Sequence, residues 1–133
     1  MSRNRKAKQR FIGIPLAAYS SPAFAQLSFA ASRLLIDIAS QYHGKNNGDL
    51  GCSWQSMRRK GWRSRTTLKK AKAELLQAGF IETTRKGGFH NGPSLYALCW
   101  SPIDEKDKGW PLEVQPTKTP SLRFIVRKAA VNE

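Results

Sequence analysis

Acidic residues are scarce in this chain, which has only nine Asp and Glu among 133 residues, against 23 Lys and Arg. The formal net charge at neutral pH is therefore +14. An excess of one sign on this scale is typical of proteins whose partner is a polyanion. The composition thus favours binding to a nucleic acid or to an anionic membrane surface.

Long apolar runs are also missing. None approaches the roughly 20 residues that a membrane-spanning helix requires. The apolar stretch 11–18 follows a basic N-terminus, but it is too short and broken for the core of a signal peptide. We therefore expect a cytoplasmic protein with no membrane partner.

Metal-binding and catalytic motifs are absent as well. Cys52 and Cys99 each stand alone in an apolar stretch, and His43 and His90 are not grouped with them. Structural zinc takes clustered ligands, so we expect no metal and no cofactor, with both cysteines buried as free thiols. The chain has no carboxylate pair for Mg²⁺, no Gly-rich phosphate loop and no persuasive nucleophile spacing. We expect a protein that is not an enzyme.

The positive charge is concentrated in two segments, which together hold +12 of the +14. Residues 45–79 carry nine basic residues against two acids. Residues 1–10 form a basic arm without any acid. A merely solvated face usually mixes both signs, so we interpret both segments as functional surfaces. The cations of the arm are Arg3, Arg5, Lys6, Lys8 and Arg10.

Serine residues before segments of helical periodicity predict where helices begin. Gly44 and Gly79 are well placed to follow the ends of two of them. A short apolar strand and a β-hairpin complete the predicted elements. The predicted helices cover about 22–27, 28–44, 53–61 and 64–78, and the predicted strands cover 50–52, 80–86 and 94–100.

The order of these elements predicts a winged helix–turn–helix in residues 11–100. This is an α+β fold of three to four helices, a short strand and a C-terminal β-hairpin wing. Recurrent prolines predict an irregular tail over 101–133. Within the tail, segment 122–126 holds four apolar residues in five, so we expect it to dock on its own domain or across a dimer.

Two stretches carry a family resemblance. Residues 53–81 resemble a bacterial winged-helix DNA-binding unit, and residues 75–81 (LLQAGFI) are similar to the L-x-x-A-G-[FLI]-I motif that leads from recognition helix into wing. The longer stretch 11–100 resembles helix–turn–helix proteins of phages, plasmids and other mobile elements. That resemblance implies a role in transcription control or in replication, in a bacterial protein associated with the nucleoid.

The major groove of DNA accepts one α-helix, and side chains near the N-terminus of that helix read the base edges. We expect the last predicted helix to contact DNA through Arg63, Ser64, Arg65, Thr66, Thr67, Lys69, Lys70 and Lys72. The preceding helix offers Gln55, Arg58 and Arg59 to phosphates. The wing offers Arg85, Lys86, His90 and Asn91 to the DNA backbone or the minor groove.

Structural roles remain open for some of these residues. Thr67 has an alternative place in the core, and Arg85 and Lys86 have one at an ordinary solvated hairpin end. Trp54 and Trp62 stand at apolar or turn positions, so they are better explained by packing than by stacking on bases.

The leading functional hypothesis is a sequence-selective protein that binds double-stranded DNA, acting as a transcription regulator of a mobile element. The first alternative is a replication initiation or accessory protein that binds an origin. The second is a basic RNA-binding protein, which exposed aromatic residues on a sheet would favour. A homodimer through Phe24, Phe29 or segment 122–126 is also left open.

Overall fold

The protein has an α+β fold in the computed structural model, which describes residues 9–125. Within that range the chain forms five helices and one antiparallel sheet of two strands, and residues 123–125 are also helical. The expectation of an α+β fold is therefore confirmed. The helices are α1 (Leu16–Tyr19), α2 (Pro22–Ala25), α3 (Phe29–Ala39), α4 (Trp54–Arg59) and α5 (Arg65–Ala78), and the strands are β1 (Ile81–Arg85) and β2 (Leu95–Leu98).

A serine hydroxyl begins each helix from α2 to α5. In each case the side-chain oxygen accepts a hydrogen bond from the backbone N–H three residues later, which satisfies one of the free donors of the first turn. The four predicted helix starts are thus confirmed. The capping residues are Ser21, Ser28, Ser53 and Ser64.

Helix α5 ends as predicted, at a glycine in the left-handed conformation. Gly79 has a φ of 86°, and its N–H donates to the carbonyl of Leu75. A side chain there would be strained, because a Cβ on Gly79 would lie 2.7 Å from the backbone of Arg123. The same glycine therefore ends the helix and makes room for the C-terminal tail.

Helix α3 ends at Ala39, so its predicted extension to Gly44 is wrong. The side chains just beyond its end form other hydrogen bonds. The Ser40 hydroxyl donates to the carbonyl of Asp37. The Gln41 amide both donates to and accepts from the backbone of Gly51. These bonds turn the chain towards α4 and replace a further helical turn.

The two strands form a short hairpin, with Ile81 opposite Leu98 and Arg85 opposite Leu95. A bulge interrupts the register between Thr83 and Arg85. The predicted strand at 50–52 is present only as one bridge, in which Leu50 pairs with Tyr96 through two backbone hydrogen bonds. The hairpin is thereby joined to the segment that leads into α4.

The core lies between α3, α5 and the hairpin, and the tail covers one side of it. Phe124 is buried and stacks on Phe80, with ring centroids 5.0 Å apart and an interplanar angle of 10°. Phe24 meets Phe80 edge-on. The prediction that segment 122–126 docks is confirmed for Phe124, which docks on its own chain, while residue 126 lies outside the described residues.

Asn47 fastens the start of the tail to the hairpin. Its side-chain amide donates to the carbonyls of Leu98, Ser101 and Pro102, and its Oδ1 accepts from the N–H of Leu98. The backbone N–H of Asn47 in turn donates to the carboxylate of Asp104. Residues 101–122 contain no helix or strand, and side-chain hydrogen bonds of Asn47 and Asp104 hold the first part of this tail.

Candidate nucleic-acid interface

Seven exposed cations cluster on α4, on the turn after it and on the N-terminal half of α5. We call this set the basic face. None of its members belongs to an ion pair among residues 9–125, where the pairs are Arg33–Asp37, Lys106–Asp49 and Arg123–Glu82. The basic face consists of Arg58, Arg59, Lys60, Arg63, Arg65, Lys69 and Lys70.

The charged segment 45–79 contains two acids, and both interact with residues outside the basic face. Glu74 binds the start of α3, where one carboxylate oxygen accepts from the Ser28 N–H at 2.6 Å and the other from the Ser28 hydroxyl at 2.7 Å. Asp49 pairs with Lys106 at 3.4 Å. Neither Asp49 nor Glu74 therefore pairs with a cation of the basic face.

The turn between α4 and α5 is tied to α3 by a buried carboxylate. Asp37 accepts from the indole Nε1 of Trp62 at 2.7 Å and from Nε of Arg33 at 3.1 Å. Arg33 also donates to the carbonyl of Lys60 at 2.6 Å. Trp62 therefore packs, as the sequence indicated, and the direction of α5 relative to α3 is held by these bonds.

The predicted DNA-contact residues at the start of α5 and along it differ in their exposure and in whether their side chains already form contacts within the protein. Ser64 caps the helix, so its oxygen accepts from the N–H of Thr67. Thr66 and Thr67 are both exposed, and the alternative in which Thr67 faces the core is wrong. Lys72 is half-buried, with its ammonium 5.8 Å from the ring centre of Tyr96.

Arg65 lies at the first position of α5 and is exposed. Its guanidinium is 5.3 Å from the ring centre of Trp54, the first residue of α4. Cation–π stacking of this kind orients an arginine without consuming its hydrogen-bond donors. Gln55, next to Trp54, is exposed as well, so α4 and α5 present polar side chains together.

Arg85 is not available as a DNA contact, and its assignment to the wing surface is wrong. The residue is only 6% exposed. Its two terminal nitrogens donate to the carbonyls of Pro111 and Asn91, both at 2.8 Å, and its guanidinium stacks on Trp110 at 4.7 Å. Arg85 therefore braces the hairpin against the tail.

The hairpin loop, residues 86–94, presents the other predicted wing residues. Lys86, His90 and Asn91 are exposed. The backbone N–H of Lys86 donates to the carboxylate of Glu113, which places one acid at the base of the loop. Phe89, which no sequence pattern singles out, is 95% exposed at the tip of the loop.

A groove connects the hairpin loop with α4 and α5. It has a volume of about 390 Å³ and opens to solvent. Ser53 and Ser56 line it from α4, Lys72 from α5, and Pro93 and Ser94 from the loop. The base of the loop therefore lies beside the two helices that carry the basic face.

The N-terminal arm can be placed only in part. Arg10 is exposed. The other cations predicted there, Arg3, Arg5, Lys6 and Lys8, lie outside the described residues. The arm thus stays a prediction.

Burial keeps both cysteine thiols from ionising readily to the reactive thiolate. Burial raises the pKa of Cys52 to about 11, an effect that Lys72 partly offsets, and burial raises the pKa of Cys99 to about 12.

Among residues 9–125, no group of three or more His, Cys, Asp or Glu side chains is placed to hold a metal ion. In the same range, no helix combines the length and the apolar character needed to cross a membrane.

The basic face is thus the most distinctive chemical feature of the molecule. The chain matches no protein-family model, and it has no significant match among the curated proteins or the solved structures.

Proposed function

We propose that the protein binds double-stranded DNA with sequence selectivity, as a winged helix–turn–helix protein. The observation that carries this proposal is the basic face, where seven exposed cations stand on two consecutive helices and the turn between them, and no acid among residues 9–125 pairs with them. Duplex DNA carries one negative charge per roughly 1.7 Å of its axis, so such a face gains affinity by releasing counterions.

The placement of the cations supports duplex DNA in particular. In this proposal α5 is the recognition helix and enters the major groove, with Arg65, Thr66 and Lys69 towards the base edges. Arg58 and Arg59 on α4 contact phosphates and fix the register. The Asp37–Trp62 hydrogen bond supports this role, because it holds the turn that aims α5.

RNA recognition through the sheet is less well supported. Modules that read single-stranded RNA on a sheet stack bases on exposed aromatic side chains. Here Tyr96, the aromatic residue of β2, is only 5% exposed. All four residues of β2 are buried, so that strand offers no stacking platform.

The biological role that fits best is transcription control on a mobile element. A replication accessory protein that binds an origin would use the same interface. The two roles differ in where the target sequence lies, at a promoter or at an origin. Identifying the target therefore decides between them.

Selection of bound sequences from random duplex DNA, followed by a salt titration on the selected site, tests the proposal. Enrichment of one motif is expected. If roughly six to eight phosphates are contacted, log K should fall against log salt with a slope of about −5 to −7. Absence of an enriched motif, a flat titration or a preference for single-stranded RNA over duplex DNA would overturn it.

The double variant Arg58→Ala/Arg59→Ala is a control that distinguishes phosphate contacts from contacts to base edges. Loss of two phosphate contacts should make the slope shallower by about 2 while the selected motif stays the same. A changed motif would instead place these arginines on base edges.

A further inference from the structure

Phe89 is displayed to solvent in a way that the other aromatic residues near the hairpin are not. Its side chain is 95% exposed, whereas Phe80 and Phe124 are buried in the core. The ring of His90 meets it edge-on, with ring centroids 4.3 Å apart. The pair forms an aromatic tip on the hairpin loop.

Hydrogen bonds within the loop hold the tip in this exposed position. The N–H of Gly88 donates to the carbonyl of Gly92, and the N–H of Asn91 donates to the carbonyl of Gly88. The Asn91 side chain donates to the carbonyl of Lys86. These bonds close a tight turn with Phe89 and His90 at its outer corner.

A second brace comes from the tail. Gly92 has a φ of 75°, and a Cβ there would lie 2.8 Å from the ring of Trp110. That ring is stacked on Arg85, which in turn donates to the carbonyl of Asn91. Trp110 and Arg85 thus support the loop from below, and an exposed phenylalanine is held on a stiff platform.

The chemistry of the tip suits an apolar contact better than a phosphate contact. Residues 87–94 include no charged side chain, and Glu113 binds the backbone of Lys86 at the base of the loop. The cations of the basic face stand instead on α4 and α5, the two helices whose Ser56 and Lys72 line the groove beside the base of the loop. DNA brought in by the basic face would therefore meet an uncharged aromatic tip at its flank.

We propose that Phe89 inserts its ring into the minor groove that flanks the bound major groove, between two adjacent base pairs, and kinks the duplex. The inference deepens the proposed DNA binding and rests on it. Apolar side chains wedged between base steps bend DNA towards the major groove, which would wrap it more closely onto the basic face. His90, beside the ring, can donate to the acceptors on the minor-groove edge.

The test uses the full chain and a duplex of about three helical turns containing the selected site. End-to-end energy transfer between terminal dyes reports bending, and 2-aminopurine placed at successive positions reports unstacking. With the wild type we expect a bend and one bright 2-aminopurine position. Phe89→Ala should abolish both signals and weaken binding roughly tenfold, while Phe89→Leu, which keeps an apolar wedge, should retain most of the bend.

Phe29 supplies the matched control, because its side chain is also 95% exposed but lies at the start of α3. Phe29→Ala should leave the bend and the affinity unchanged. Thermal melts should show both alanine variants as stable as the wild type, since neither ring packs in the core.

The outcomes separate the two proposals. If the wild type binds its site and Phe89→Ala bends and binds it equally well, the wedge is wrong and DNA binding stands. If Phe89→Ala instead changes the oligomeric state in light scattering with the bend retained, the ring contacts protein and the wedge is also wrong. If the wild type does not bind duplex DNA at all, the proposed function fails and the wedge fails with it.

Discussion

The basic face and the C-terminal tail both carry several cations, yet of these two only the tail has cations that are paired with acids within residues 9–125. In the tail, Lys106 pairs with Asp49 and donates to the carbonyl of Trp110, and Arg123 pairs with Glu82. No cation of the basic face has an ion pair within residues 9–125. The positions of the acids therefore decide whether the cations of a charged stretch form ion pairs within the fold or remain available to a partner. The composition alone does not reveal these positions.

Two arginines stacked on tryptophans make the same contrast. Arg85 lies 4.7 Å from the ring centre of Trp110 and spends two donors on carbonyls, whereas Arg65 lies 5.3 Å from that of Trp54 and is exposed. Burial turns the first guanidinium into a brace. The second guanidinium is oriented by its tryptophan and, because it is exposed, remains accessible to a partner. The comparison predicts that variants of the tail alter stability, whereas variants of the basic face alter DNA binding.

The largest expected effect concerns the tail. Phe124→Ala removes a buried ring that stacks on Phe80, so we expect the free energy of unfolding to fall by about 3–5 kcal/mol. Chemical denaturation measures it. Ile125→Ala is the matched control, because Ile125 is 48% exposed and should cost less than 1 kcal/mol, as surface substitutions usually do.

Thiol labelling of the same variant shows whether the loss is local. Cys99 lies under the tail, where its carbonyl accepts from the N–H of Leu122. Since its pKa is raised to about 12, the native thiol should react slowly at pH 8, and tail release in Phe124→Ala should speed its labelling. Labelling of Cys52 should change less. Equal acceleration of both thiols would contradict a separately opening tail.

The next effect concerns the basic face. Arg65→Ala should weaken binding to the selected DNA site by about 1–3 kcal/mol and relax the preference at one base pair, with unchanged thermal stability. Arg123→Ala is the matched control, because that arginine is paired with Glu82 and should leave DNA affinity as it is. Equal losses for Arg65→Ala on specific and random DNA would make Arg65 a phosphate contact only.

The parts of the fold that local signals specify were predictable from sequence. Helix α5 begins at a serine cap and ends at Gly79, and its apolar positions recur at helical spacing. Helix α1 was missed because no side chain caps it and it has only four residues. Its position depends on burying Ala18, which is a tertiary effect.

In the candidate site, too, local sequence patterns predict some features, whereas others depend on residues that are distant in the chain. Exposure of Arg58, Arg65 and Lys69 could be anticipated, because the apolar positions of their helices fix which side faces the core. The burial of Arg85 could not, since its partners Trp110 and Pro111 lie about 25 residues downstream. No local pattern encodes such a contact.

A smaller effect is expected at the turn between the two helices. Trp62→Phe keeps an aromatic side chain, although a smaller one, but removes the N–H that donates to Asp37, so we expect a loss of about 1 kcal/mol or somewhat more in stability. Because that bond aims α5, discrimination between the selected site and random DNA should also shrink. Trp100→Phe is the control, since Trp100 is also half-buried but lies in the turn that follows β2. Unchanged discrimination in Trp62→Phe would show that the turn is held by packing alone.

The smallest effect comes from single lysines and tests the comparison most directly. Lys69→Ala removes one cation of the basic face, so the salt slope of DNA binding should become shallower by about 1 with little change in stability. Lys106→Ala removes a paired cation of the tail, so the slope should stay constant while stability falls by about 0–1 kcal/mol, the usual range for such pairs. If both lysines changed the slope equally, the DNA would respond to net charge, and the division between the basic face and the tail would be wrong.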